Sequence, residues 1–324
     1  MKISVALCTY NGERFLKEQI DSILNQSVPV DEIVVCDDCS SDATKNILTE
    51  YAEKHPTLFR IYFNEENLRS NKNFEKAISL TTGDYIFLSD QDDIWRNDKV
   101  EKILEIFAKD SAAEGVFSDA HFINENAAKI LQELSLWESV CFFHESVTET
   151  TDLKKSLLNI GNFLTGATLC IKKEVKAFSI PFLTSKNFIH DEWFAFVLTN
   201  RNSLRFSTEQ LISYRLHSNQ QLGVGEIKKP KKALQNKRRI NQLMLGFSAA
   251  NSFKDCKSKV RLNFSQYQKY NELFELHHLP IFKEIAEEMK NNFLASKAEM
   301  KKKFPILYFI RNYSDKRKGR RQLE

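Results

Sequence analysis

The stretch EIVVCDDCSSD, residues 32–42, decides the fold and poses a chemical question. Its first half, Glu32 to Asp37, is a short β-branched apolar run of the kind that forms a strand buried on both faces. Its second half places Asp37 and Asp38 between Cys36 and Cys39, so the turn after that strand is built around either sulfur or carboxylate. The helical pattern SSDATKNILTEYAEKH follows, with Ser40 or Ser41 expected as N-cap and Asp42 in the first turn.

The same unit repeats on either side. KISVALC (residues 2–8) is a strand ending at Thr9-Tyr10-Asn11-Gly12, and ERFLKEQIDSILNQ is a helix with Phe15, Leu16, Ile20, Ile23 and Leu24 on one face. FRIYFN is a third strand, NKNFEKAISLT a third helix, and Gly83 precedes the strand DYIFLSD. This alternation predicts an α/β fold with a mostly parallel, Rossmann-like sheet flanked by helices. Further on, KVEKILEIFAKD and DEWFAFVLTN read as helices, and EGVFSDAHFIN, GATLCIKK and LRFSTEQLISYRLH as strands; residues 125–160 are mixed.

The 324 residues exceed one ordinary core, so a large domain with an appendage is expected. Charge locates the division. Residues 1–227 carry 23 Lys/Arg against 34 Asp/Glu, and residues 228–324 carry 24 against 9. An acidic domain, 1–227, is thus followed by a basic, mainly helical region, 228–324. No run approaches the roughly 18–20 apolar residues of a membrane span, and MKISVALCTYNG reads as a first strand rather than a signal peptide. Six scattered cysteines in apolar surroundings suit reduced thiols of a cytoplasmic protein.

Ligands of open parallel sheets bind beyond the carboxyl ends of the strands. Those ends read Thr9-Tyr10-Asn11, Asp37-Asp38 and Asp90-Gln91-Asp92-Asp93. Neither G-x-G-x-x-G nor G-x-x-x-x-G-K-[ST] occurs, so a bound nucleotide needs its phosphate charge met by a metal. Asp90-x-Asp92 offers hard oxygen ligands for Mg²⁺ or Mn²⁺, with positions left for phosphate and water.

ALCTYNG, EIVVCDDCSSD, TTGDYIFLSDQDDIW and HDEWFAF, in that order over roughly residues 2–225, resemble the motifs of the family-two glycosyltransferases of GT-A fold. SDQDDIW, HDEWF and YRLHSNQQLG look closest to the bacterial rhamnosyltransferases of cell-wall and capsular polysaccharide synthesis. The resemblance answers the opening question for carboxylate, with Cys39 standing where a turn Gly is common. A zinc site would also need a second ligand pair, and no second C-x-x-C or H-x-x-x-H exists.

The resemblance implies an inverting, metal-dependent transferase taking a dTDP- or UDP-sugar donor and a saccharide or lipid-linked acceptor. It places Thr9, Tyr10, Asn11, Asp37 and Asp38 at the nucleoside, with Asp38 accepting from a pyrimidine N–H. Asp90 meets the ribose or metal and Asp92 the metal and diphosphate; Asp93 is counted with them at the metal, as a support behind it or as the cap of the next helix. Lys72 touches the nucleotide or is merely solvated. Asp191 matches the catalytic base, with Glu192 its rival and His190 either orienting it or structural. Trp95 and Trp193 either stack on sugars or fill the core. The loop 161–166, ending at Gly166, shapes the donor and acceptor pocket. Tyr214, Arg215 and His217 fall where processive relatives carry Q-x-x-R-W, so the implied enzyme is non-processive.

The C-terminal region mixes cations with Phe, Ile, Leu and Tyr in KKPKKALQNKRR and KKKFPILYFIRNYSDKRKGRR. It suits an anionic membrane surface on the inner face of the cell membrane, or a homodimer contact. No nucleic-acid partner is expected, because no recognised binding motif is present.

Overall fold

The structure, a computed structural model, describes residues 1–144, 148, 151–186, 188–218, 220 and 230–317. The expected boundary at 227/228, the end of the YRLHSNQQLG motif and the last seven residues of the basic tail lie outside these.

The first four strands are β1 (Ile3–Thr9), β2 (Glu32–Asp37), β3 (Phe59–Phe63) and β4 (Tyr85–Ser89). They lie side by side in the order β3-β2-β1-β4, all parallel, with Val5 opposite Ile33 and Phe87. β1 and β2 are buried at every residue, whereas the edge strand β3 is partly exposed. Continuous apolar runs are required in the middle of the sheet because helices cover both faces. Those helices are α1 (Leu16–Leu24), α2 (Thr44–Lys54) and α3 (Arg69–Leu80). α1 turns Leu16, Ile20 and Ile23 inward at helical spacing.

The helix expected after Asp38 begins later than its sequence suggests. α2 starts at Thr44, and Ser40, Ser41 and Asp42 belong to the preceding loop, with Asp42 Oδ1 accepting from Thr44 N at 3.0 Å. Two effects displace the start: Cys39 adopts a left-handed backbone (φ 67°), and Ser40 donates to Asp37.

Beyond β4 the sheet changes character. The remaining strands are β5 (Ile94–Trp95), β6 (Gly115–Ile123), β7 (Lys129–Ser135), β8 (Leu169–Lys172) and β9 (Leu204–Arg215). The order continues β4-β8-β6-β9-β5, with β7 on β6. β8 runs antiparallel to both β4 and β6, and β6 is parallel to β9. Helices α4 (Lys99–Lys109), α5 (Leu136–Ser139), α6 (Leu153–Ile160), α7 (Lys176–Ser179) and α8 (His190–Asn200) connect them. This is a mixed α/β sheet, its parallel half built from the repeats read in the sequence.

Two compact units result. One comprises Met1–Lys154, Asn162–Thr184 and Ile189–Pro230. The other takes Lys155–Gly161, Ser185–Phe188 and the chain from Lys231, so two short segments of the acidic region fold with the basic one. The second unit holds α9 (Pro230–Leu245, from Lys231), α10 (Phe253–His277), α11 (Pro280–Lys303) and α12 (Pro305–Arg317). Leu243, Cys256, Val260, Phe293, Met300 and Tyr308 form its core. Among the described residues no helix is long and apolar enough to cross a membrane.

Candidate active site

Parallel strands bring their carboxyl ends to one edge, and in the first unit that edge opens on a cavity of about 560 Å³. Thr9, Tyr10, Asn11, Asp38, Asp90, Asp92, His190, Asp191 and His217 all line it. Thr9 and His217, more than 200 positions apart in the chain, therefore share one chamber.

The β1 and β4 ends are locked together. Tyr10 N donates to Gln91 Oε1 at 2.8 Å, and Gln91 Nε2 returns a bond to Tyr10 O at 3.0 Å. Gly12 allows this closeness, because a Cβ there would lie 2.2 Å from Gln91 Oε1.

Asp37 and Asp38 part company. Asp37 is fully buried and does not line the cavity; it accepts from Thr9 Oγ1 at 2.9 Å and from Ser40 N at 3.0 Å. It braces the loop instead of meeting a ligand. Asp38 lines the cavity while accepting from Asn64 Nδ2, Leu68 N and Arg69 N at 2.7–2.8 Å. A carboxylate has about four acceptor sites, so one more donor fits. Cys36 is buried, its thiol pushed up to about 11 by burial, and Cys39 Sγ donates to Asn64 O. The described cysteines are all free thiols.

At the Asp90–Asp93 turn, burial first, then the charges of Asp92 and Asp191, push Asp90 up to about 7. Asp92 Oδ2 lies 2.8 Å from His217 Nε2. Asp93 turns away from the cavity: its Oδ1 accepts from Arg215 N at 3.0 Å, and its buried Oδ2 has no hydrogen-bond partner among the described residues. Burial, with Asp92 and Asp90 nearby, holds this carboxyl well above the usual range. Arg215 is wholly buried and does not line the cavity; its Nε donates to Asp92 O at 2.7 Å, which fixes the turn from behind. Among the described residues no three His, Cys, Asp or Glu side chains are arranged to hold a metal. Asp90 and Asp92 both line the cavity.

The start of α8 supplies the opposite wall. His190 Nε2 is 2.7 Å from Asp191 Oδ1, and His190 N and Nδ1 both lie 3.0 Å from Asn71 Oδ1. The ring stacks on Phe74, centroids 4.5 Å apart. Gly166 faces this pair, since a Cβ there would come within 2.8 Å of Asp191 Oδ1 and 3.1 Å of His190 Nε2. Glu192 is buried and off the cavity, so the two neighbouring carboxylates are not equivalent.

Other expected residues lie elsewhere. Trp193 is buried and donates from Nε1 to Ser179 O. Trp95 is buried beneath Lys99, whose Nζ sits 3.7 Å from the Trp95 ring centroid. Both are core aromatics. Lys72 points to Glu75 at 2.7 Å and does not line the cavity.

The sequence reading did not single out Asn71, Phe74 or Lys99. Burial lowers the Lys99 ammonium to about 7, and its Nζ donates to Ala167 O at 2.9 Å, holding the turn that carries Gly166. A Lys on the apolar face of an amphipathic helix was the available signal; Asn71 had none.

The family model for glycosyl transferase family 2 matches residues 4–175, more than half of the chain and all four parallel strands. The chain belongs to glycosyl transferase family 2. It is 28% identical over 232 residues to the Shigella flexneri protein described as dTDP-rhamnosyl transferase RfbG, covering 67% of this chain and 73% of that one. Other family relatives, at 32–37% identity, align over 37–45% of their own length. Among solved structures, S. aureus TarS 1–349 in complex with UDP-GlcNAc superposes with a TM-score of 0.55 at 18% identity, covering 93% of this chain and 80% of that one. The same protein with UDP gives 0.53 at 15% identity, covering 93% and 91%. At these identities the likeness shows the fold.

Proposed function

We propose that this protein is an inverting, non-processive, metal-dependent glycosyltransferase that takes rhamnose from dTDP-rhamnose to a saccharide or lipid-linked saccharide. One observation carries the reading: a single cavity gathers Asp38, the Asp90–Asp92 turn and Asp191, three carboxylate sites from three strand or helix ends. The rhamnose assignment rests on the similarity to RfbG.

In this reading Thr9, Tyr10 and Asn11 border the nucleoside, and the free acceptor site on Asp38 takes the pyrimidine N–H. Asp90 and Asp92 would hold Mg²⁺ or Mn²⁺, which would supply positive charge at the leaving diphosphate. Burial first pushes Asp90 up to about 7, and the charges of Asp92 and Asp191 that add to it are what a divalent cation would offset. Asp191 removes the acceptor hydroxyl proton as that oxygen bonds to the anomeric carbon and the carbon–diphosphate bond breaks. The products are the glycoside, a nucleoside diphosphate and one proton on Asp191. His190 orients Asp191, and His217 orients Asp92.

The test is a donor screen, dTDP- and UDP-sugars in parallel, reading binding and hydrolysis. Asp191→Asn should keep donor affinity while transfer falls about 10²–10⁴-fold, and Glu192→Gln should leave the rate within severalfold of the parent. The reverse pattern overturns the base assignment, and preferred turnover of a UDP-sugar overturns rhamnose.

A further inference from the structure

We propose that α12 (Pro305–Arg317) is an in-plane anchor that seats the protein on an anionic lipid bilayer. At 100° per residue, Ile306, Leu307, Phe309 and Ile310 fall on one side of this helix and Tyr308 on the other. The structure divides them in that way. Tyr308 is buried in the core of the helical unit beside Met300 and Phe293. Ile306 is 74% exposed, Phe309 71%, Ile310 56% and Leu307 47%.

Four large apolar side chains on less than two turns of helix, turned away from the core, form a contiguous patch rather than scattered surface hydrophobics. The charge beside the patch selects its occupant. Lys301, Lys302 and Lys303 end α11 just before it and are all exposed. Residues 228–324 carry 24 Lys/Arg against 9 Asp/Glu. A second copy of this chain would bring a like-charged region against it, whereas anionic headgroups neutralise it. The helix has 13 residues, roughly 20 Å at 1.5 Å each, too short to span a bilayer core of about 30 Å. A short helix with apolar residues on its outer face and cations at its entrance lies in the interface plane.

The inference stands apart from the transferase reading, because its readout is lipid binding. The full chain is sedimented with phosphatidylglycerol-containing vesicles and with pure phosphatidylcholine vesicles, at low and high salt. Binding is expected on the anionic vesicles only, weakening with salt. Ile306→Ser/Phe309→Ser should lower the bound fraction at least tenfold, with the helical circular dichroism signal unchanged because both residues are exposed. Lys301→Gln/Lys302→Gln/Lys303→Gln should remove most of the salt dependence. Failure to bind anionic vesicles, or equal binding by the Ser variant, overturns the proposal. So does a dimer, detected by light scattering, that the Ser substitutions dissociate without any lipid effect.

Discussion

His190 Nε2 sits 2.7 Å from Asp191 Oδ1, in a ring whose other nitrogen faces Asn71 Oδ1. Because His190 N donates to the same Asn71 oxygen, that atom is an acceptor and Nδ1 must carry its proton. Burial opposes a charged ring here, but the Asp191 charge and hydrogen bond, with Asp90, outweigh it and hold His190 above the usual imidazole range. The candidate base is therefore paired with a ring that Asn71 orients.

Asn71→Leu should release that ring. Transfer at saturating donor should fall about 10–100-fold while donor KM stays near the parent value, since Asn71 holds the base and not the nucleotide. A rate within twofold of the parent would show that the ring is held by Phe74 alone.

Gly166→Ala introduces a Cβ within 2.8 Å of Asp191 Oδ1. The carboxylate must swing aside, so transfer should drop about 10²-fold with a stability cost of about 1–2 kcal/mol. Steady-state kinetics beside thermal unfolding separates the two effects.

Divalent metal should raise the thermal midpoint of the protein without donor, and Asp92→Asn should abolish the shift. Saturation at 100 times Kd is worth about 2.7 kcal/mol. Donor affinity that ignores both EDTA and this substitution removes the metal from the site.

Glu32 anchors the opposite end of the sheet. Burial alone would raise its carboxyl; hydrogen bonds from Ser4, Thr82 and Arg60 outweigh it and lower the pKa from 4.5 to about 2. The folded value is depressed, so the stabilisation is present above pH 4.5 and is lost as pH falls through about 2. At pH 7 Glu32→Gln should cost about 2–3 kcal/mol in urea unfolding, and the gap to the parent should narrow steadily below pH 4.5. A gap independent of pH would assign the loss to packing.

Cys36→Ala/Cys39→Ser should retain transfer. Cys36 is buried with a thiol pushed up to about 11, so it is not a thiolate near neutral pH, and Cys39 Sγ donates to Asn64 O. A packing cost of about 1–3 kcal/mol is expected; activity recovered only with reductant or zinc would restore a sulfur role.

The parallel half of the fold was legible because each β–α unit carries its own signal: a short apolar run, a turn at the strand end, then apolar residues at helical spacing. The antiparallel half was less so. Whether β8 runs with or against β4 depends on how the chain returns across the sheet, which local pattern does not encode. The start of α2 was misplaced because Ser40, a good capping residue by type, is engaged by Asp37, which leaves Asp42 to accept from Thr44 N at the helix start.

The sequence by itself determined that carboxylates cluster at the ends of β2 and β4, since strand ends and Asp-rich turns are local features. Only the tertiary structure decided which of them face the cavity. Asp37 and Asp38 are adjacent in a chain whose side chains alternate sides, so one braces the loop and the other meets the cavity. Asp92 and Asp93 divide in the same way, and Asp191 and Glu192 part at a helix start where neighbours are about 100° apart. Asn71 and Gly166 reach Asp191 from distant elements. Their part in the site is a matter of contacts across the fold, which no local stretch of sequence contains.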